Sequence, residues 1–223
     1  MLESKVVADK TLAAFPLSTF EYKVLLADPI FAAFDTPTKI AESIFRAFRE
    51  WNVAFENITF RTLPSSANDL QVGCDFGDKR VSFVIQVQSC TLTVTNPNWS
   101  EAELIKTLMR QGIFAMGEST KGVPRRQSAV LAMHVGGLGL TRADRLAKFR
   151  PSIDFPMKSD GGFGFCLYGE NCSWLIDLSG IYGDALFVRI DRAFDASIPI
   201  DEVAASLYKD ELKILDLLDL SLV

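Results

Sequence analysis

The chain has one histidine, His134. Any serine–histidine or cysteine–histidine mechanism would therefore have to run through that imidazole, which would take the proton of a nucleophile brought close by the fold. It lies within Ala129-Val-Leu-Ala-Met-His-Val-Gly-Gly137, an apolar strand-like run. No Gly-x-Ser-x-Gly elbow or other nucleophile signature occurs, so a histidine bonded within the core or at a strand edge is the expected state. With a single histidine, a histidine-based metal site is excluded as an expectation. The four cysteines (Cys74, Cys90, Cys166, Cys172) form no Cys-x-x-Cys pair and read as free thiols rather than zinc ligands. No cofactor is expected.

A second constellation could bind rather than react. Gly136-Gly137-Leu138-Gly139-Leu140-Thr141 joins a strand-like run to a helix start, a context in which backbone N–H groups can cradle an anion. Arg142, Arg145 and Lys148 continue it at three-residue spacing, and Arg125 and Arg126 precede it. It is neither Gly-x-Gly-x-x-Gly nor a Walker A loop, and a turn followed by a solvated basic helix face is the plainer reading. Between Lys121 and Arg150 seven basic residues meet one acid, a local net of +6 in a chain of net −5. Arg125, Arg126, Gly137, Gly139, Arg142, Arg145 and Lys148 are the candidate surface for an anionic partner.

The acids offer less. Asp191, Asp195, Asp201, Glu202, Asp210, Glu211, Asp216 and Asp219 crowd the C-terminal stretch and read as a solvated face that could pair with the basic segment within the molecule or across a homodimer. Phe45, Phe48 and Trp51 have helical spacing; core packing explains them, and the alternative is that they line a cavity for an apolar ligand. Trp99 and Trp174 stand near turns, where a half-exposed indole could anchor a partner.

These residues must be positioned by the elements that the pattern predicts. Phe20–Leu26 reads as a strand, and Asp35-Thr36-Pro37 as a helix start with a capping oxygen and Pro in the first turn. Strands follow at 53–62, 70–76, 80–87 and 90–95. Ser100 and Glu103 form a capping box in sequence, opening a helix that Gly117 is expected to end. Residues 118–127 read as a linker. The second series has strands at 128–135, 152–155, 163–168, 173–178 and 185–190, a short helix from Thr141, and a closing helix from Pro199. Both series run strand, helix, strands, helix. Cys74-Asp-Phe-Gly-Asp echoes in Cys166-Leu-Tyr-Gly-Glu. An internal duplication is the expected organisation: a half at 1–117, a linker at 118–127 and a second half at 128–223, packed as one unit.

The expected fold class is α+β, with a curved antiparallel sheet on long helices. This order of elements resembles that of TATA-box-binding-like and helix-grip folds, although no motif of either is present. A DNA-binding saddle would need a basic concave face with apolar wedges. Net charge −5 and pI near 5.0 argue against general nucleic-acid binding. The N-terminus reads as neither a secretory signal nor a membrane span, so a cytoplasmic protein is expected. The sequence favours a non-enzymatic binding protein with a protein partner or homodimer. The alternatives are a carrier of a small apolar ligand and, after it, an enzyme using His134.

Overall fold

Alternation of buried and open side chains governs the sheet. In Phe20, Tyr22, Val24 and Leu26 every second residue is buried, and the same period recurs in Val81, Phe83, Ile85 and in Ala129, Leu131, Met133. Successive strand residues point to opposite faces, so one face of each strand is committed to a core and the other is left to solvent. We describe the chain from a computed structural model, over residues 11–12, 14–61, 69–78, 80–97, 102–136, 164–183 and 185–221.

Nine strands form one antiparallel sheet. In chain order they are β2 (Ala14–Leu26), β3 (Ile58–Arg61), β4 (Gln71–Phe76), β5 (Val81–Gln86), β6 (Ser89–Thr95), β7 (Pro124–Gly136), β8 (Phe165–Gly169), β9 (Cys172–Leu178) and β10 (Leu186–Asp195). Spatially they run β3-β4-β5-β6-β2-β7-β10-β9-β8. Among the described helices, α1 (Pro37–Ala47) lies between β2 and β3, α2 (Ala102–Thr120) follows β6, and α3 (Ile200–Leu217) follows β10. Short β1 (Thr11–Leu12) and β11 (Leu220–Ser221) pair in parallel. The three described helices pack on one face: α1 against β4, α2 against β6, and α3 against β10 and β7. The α+β class and the TATA-box-binding-like order of elements expected from the sequence are present. From the central β2–β7 pair the strands run outward in reverse chain order on both sides, β6, β5, β4 and β3 on one and β10, β9 and β8 on the other.

Several boundaries differ from the sequence reading, each for a physical reason. β2 begins at Ala14 rather than Phe20, because its first half pairs with β7 as far as Gly136 across an irregularity between Ala14 and Leu17. The strand expected over 53–62 shortens to Ile58–Arg61; Asn52 is left-handed (φ 54°) and Phe55–Asn57 is a 3-10 turn. Pro37 does open α1, but Thr36 makes no side-chain capping bond. α2 runs past Gly117 to Thr120. There the Ser119 and Thr120 hydroxyls bond back to the Ala115 and Met116 carbonyls, and Lys121 turns left-handed at φ 53°. Of the segment 118–127, residues 118–120 are the last turn of α2 and 124–127 are the start of β7. The capping box at Ser100, the strand at 152–155 and the helix from Thr141 lie outside the described residues.

The sequence echo falls out of register. Cys74 is buried and pairs with Phe83 on the helix-covered face. Cys166 is exposed and pairs with Leu175, whose strand neighbour Ile176 is the buried one. The two cysteines therefore point to opposite faces, the consequence of a shift by an odd number of residues.

α2 makes a test of the packing with one substitution at two places. A Cβ on Gly112 would sit 2.9 Å from the ring of Phe83, which is wholly buried against Phe48. A Cβ on Gly117 would meet nothing within 4 Å. We expect Gly112→Ala to destabilise by about 1–3 kcal/mol through overpacking. Gly117→Ala should stabilise by up to ~1 kcal/mol through helix propensity. Urea unfolding of both variants checks the opposite signs.

Candidate functional site

The open face of the sheet carries a different chemistry from the core. Register places Thr19, Ala132 and Thr95 in one row, and Glu21, Val130, Thr93, Ser82, Asp191 and Ser173 in the next. Most of these side chains are half-buried by their neighbours rather than free in solvent. β-branched threonine suits a strand sterically, and its hydroxyl keeps the surface polar. The charges on this face are mixed. Lys23, Arg61, Arg126 and Arg189 stand among Glu21, Asp75, Asp177, Asp191 and Asp195, so the face is not basic.

At one end the face deepens into a notch of about 380 Å3. Its floor comes from Ser128 and Val130 of β7, Asp191 and Ala193 of β10, and Ser173 of β9. Tyr168 of β8 and the hairpin turn at Asn171 wall one side, and Arg126 the other. Arg189 neutralises Asp191 with two bonds of 2.8 Å from Nε and Nη2. Arg126 is exposed and makes no ion pair among the described residues. It shares the notch with the Asp191 carboxylate that Arg189 pairs, two serine hydroxyls, the Asn171 amide and the Tyr168 ring, and its cross-strand partner on β10 is Asp195. The arrangement can hold a carboxylate or similar anion by charge-assisted hydrogen bonds. It presents no nucleophile with a base beside it.

Through the hairpin, on the helix side, lies a second pocket of about 260 Å3 lined by Leu167, Tyr168, Glu170, Cys172, Trp174 and Arg192. Here the arginine is engaged. Arg192 donates through Nε and Nη2 to Asp210 Oδ2, both at 2.8 Å, and Asp210 is 1% exposed. Lys213 approaches Asp210 at 3.8 Å and stands 5.9 Å from the centre of the Trp174 ring. Burial pushes the Cys172 thiol up, the Arg192 charge opposes that, and Asp210 adds to it. Cys74 and Cys90 are pushed up to about 12 by burial and are inert as nucleophiles.

The sequence candidates divide as follows. Arg125 and Arg126 are both exposed on β7, but consecutive strand residues face opposite ways, so only Arg126 looks into the notch. Gly137, Gly139, Arg142, Arg145 and Lys148 lie outside the described residues. Phe48 is wholly buried with its ring centred 5.0 Å from Phe76 and 5.1 Å from Phe83; Phe45 and Trp51 are half-buried beside it, and Trp51 donates to Gln111 Oε1 at 2.8 Å. Sequence reading missed Tyr168, Ser128, Ser173 and Asp191. The alternation Arg126-x-Ser128-x-Val130 was visible, but the register that sets it beside β8–β10 was not.

The fold does bring a serine to His134. Ser179 Oγ is 2.9 Å from Nδ1, and both residues are buried. The same Oγ accepts the backbone N–H groups of Ile181 (3.2 Å) and Tyr182 (2.8 Å), so it fastens the loop between β9 and β10. The imidazole is flanked by Phe187 and Tyr182 with centroids 5.2 and 5.3 Å away. This is a loop clasp in a closed environment, without the substrate access that a nucleophile needs. No group of three or more histidine, cysteine or carboxylate side chains that could hold a metal occurs among the described residues.

No protein-family model and no curated protein matches this chain. Among solved structures it is similar to Methanococcus jannaschii TBP, at 13% identity and a TM-score of 0.36, over 93% of this chain and 98% of that one. A likeness at that score carries no argument about binding. Among the described residues, no helix is long and apolar enough to cross a membrane.

One buried carboxyl sets a pH dependence. Glu211 of α3 is 5% exposed and its Oε2 has no hydrogen-bond partner. Burial pushes it from 4.5 up to about 7. The folded chain thus keeps a proton that the unfolded chain releases near ~4.3. Stability falls as pH rises through that window and levels off above about 7, a loss of roughly 3 kcal/mol. Glu211→Gln should remove most of that fall and exceed the wild type in stability at pH 8. Urea unfolding of both proteins at pH 5 and pH 8 measures it; parallel curves would show that Glu211 is not the group responsible.

Proposed function

We propose that this chain is a non-enzymatic binding protein that captures an acidic segment of a partner protein on the open face of its sheet. Arg126 is the anchoring cation. The observation that carries the reading is the notch itself: a guanidinium with no ion pair among the described residues, over a half-buried floor that includes two serine hydroxyls, on the face opposite the described helices. A carboxylate there replaces water on Arg126 and finds hydroxyl donors at Ser128, Ser173 and Tyr168. Apart from Arg126 the described face carries three basic and five acidic residues, so a partner there is read by shape and hydrogen bonding at the notch and not held as a polyanion by charge alone.

The four cysteines are free, which suits a reducing compartment such as the cytoplasm. We also read the two halves as copies of one ancestral unit. The shared outward, reverse-chain order of the strands on the two sides supports this, although they number four and three among the described residues, and the cysteine echo does not.

A fluorescein-labelled oligoglutamate peptide, followed by anisotropy, tests the site. Arg126→Glu should weaken binding by at least about tenfold, as expected for losing a charge-assisted contact and adding a repulsive one. Arg61→Glu, at the far end of the same face, should leave it within about twofold, the scale of an isolated surface charge change. Equal affinities for the wild type and Arg126→Glu would remove the notch from consideration.

A further inference from the structure

The clasp between His134 and Ser179 can be followed proton by proton. A serine hydroxyl offers two acceptor lone pairs and one donor hydrogen. The N–H groups of Ile181 and Tyr182 take both lone pairs of Ser179 Oγ. Its one hydrogen then points at the remaining neighbour, His134 Nδ1, at 2.9 Å. Nδ1 must therefore accept, and the ring proton resides on Nε2. An imidazolium would carry a hydrogen on Nδ1 as well, directed at an oxygen with no free lone pair.

We propose that His134 is a pH-sensitive latch: protonation of its ring breaks the Ser179 clasp and releases the loop that joins β9 to β10. Ser179 also anchors that loop through its own backbone N–H, which donates to the Ala185 carbonyl at 3.0 Å, so the side-chain and main-chain ties share one residue. These groups face the ring among the described residues. On β10 the ring faces Phe187; the next residue along that face, Arg189, is a cation already paired with Asp191. On β9 Asp177 sits in the same row beyond Phe187, and its Oδ1 accepts the N–H of Leu178 at 2.7 Å. On β2 the neighbour is Leu17, and the loop contributes Tyr182. Glu211 titrates with the opposite consequence, since acid relieves it, so loosening on acidification cannot come from that group. The latch is independent of the proposed partner binding, because the notch lies at the other end of these strands.

The test is amide hydrogen exchange at 179–185, corrected for the intrinsic pH dependence of exchange, at pH 7.5 and pH 5. In the wild type, protection of Ile181 and Tyr182 should fall about tenfold at the lower pH, the scale of one lost hydrogen bond. In His134→Gln, whose side-chain oxygen can accept the Ser179 proton and does not titrate, protection should be the same at both. An unchanged wild type, or an equal fall in the variant, overturns the latch. Should the variant not fold, the wild type suffices. With one histidine in the chain, its 15N ring signals are unambiguous. At pH 8 they should report a bare Nδ1 and a protonated Nε2; a proton on Nδ1 overturns the proposal.

Discussion

One buried amide ties the central strand pair to the turn before α3. Gln127, 3% exposed on β7, accepts a hydrogen bond from the Tyr22 hydroxyl of β2 through Oε1. Its Nε2 faces the carbonyls of Asp195, Ala196 and Ile198 at 3.2, 3.0 and 2.9 Å. A single side chain thus ties the central strand pair to the turn where β10 ends and α3 begins. Desolvation raises the Tyr22 hydroxyl well above its ordinary value, so it remains a donor at every pH the protein meets. The network has almost no slack, because losing any member leaves a buried polar atom unsatisfied, at about 1–3 kcal/mol each.

The position of α3 follows from that tie, and so does the difference between the two faces. α3 sets Val203, Leu207, Ile214 and Leu215 on the sheet, while its Asp210 takes the Arg192 guanidinium on the same side. The inner strands β2, β4, β5, β6, β7 and β10 then spend most of their apolar alternation beneath the helices. What remains for the other face is mostly polar, with threonines, serines and charged residues of both signs. Arg126 and Arg192 show how burial sorts two arginines near the paired ends of β7 and β10. Arg192 is bound to a carboxylate with almost no solvent contact and is part of the structure. Arg126 is exposed and has no ion pair among the described residues.

Much of this was legible in the sequence, because it depends on periods of two and of 3.6. Strand alternation, Pro37 and Pro199 at helix starts, and the apolar face of α1 all follow from local rules. The α+β class and the order of elements come from the same signals. What eluded local rules depended on pairing. Residues 124–127 look like linker because Pro and two arginines precede a polar glutamine; they are strand because β2 and β10 lie on either side of them. Gly117 looks like a helix end, yet hydroxyl back-bonds from Ser119 and Thr120 carry α2 one turn further. The notch was hidden for the same reason, since its residues are drawn from four strands and only register assembles them.

The cysteine echo gives the argument its sharpest form. Cys74 and Cys166 occupy similar places in sequence, each just before a hairpin, and a local comparison would equate them. The loops differ, however: four residues separate Phe76 from its partner Val81, and two separate Gly169 from Cys172. Matching the hairpin ends moves the second strand by one residue relative to the echo, and in a strand one residue means the other face. Leu167, not Cys166, then occupies the position of Cys74. The thiol that would have been buried faces solvent two residues from Tyr168, on the face that carries the notch. A one-residue offset therefore decides which side chains of the second hairpin are structural and which can meet a partner.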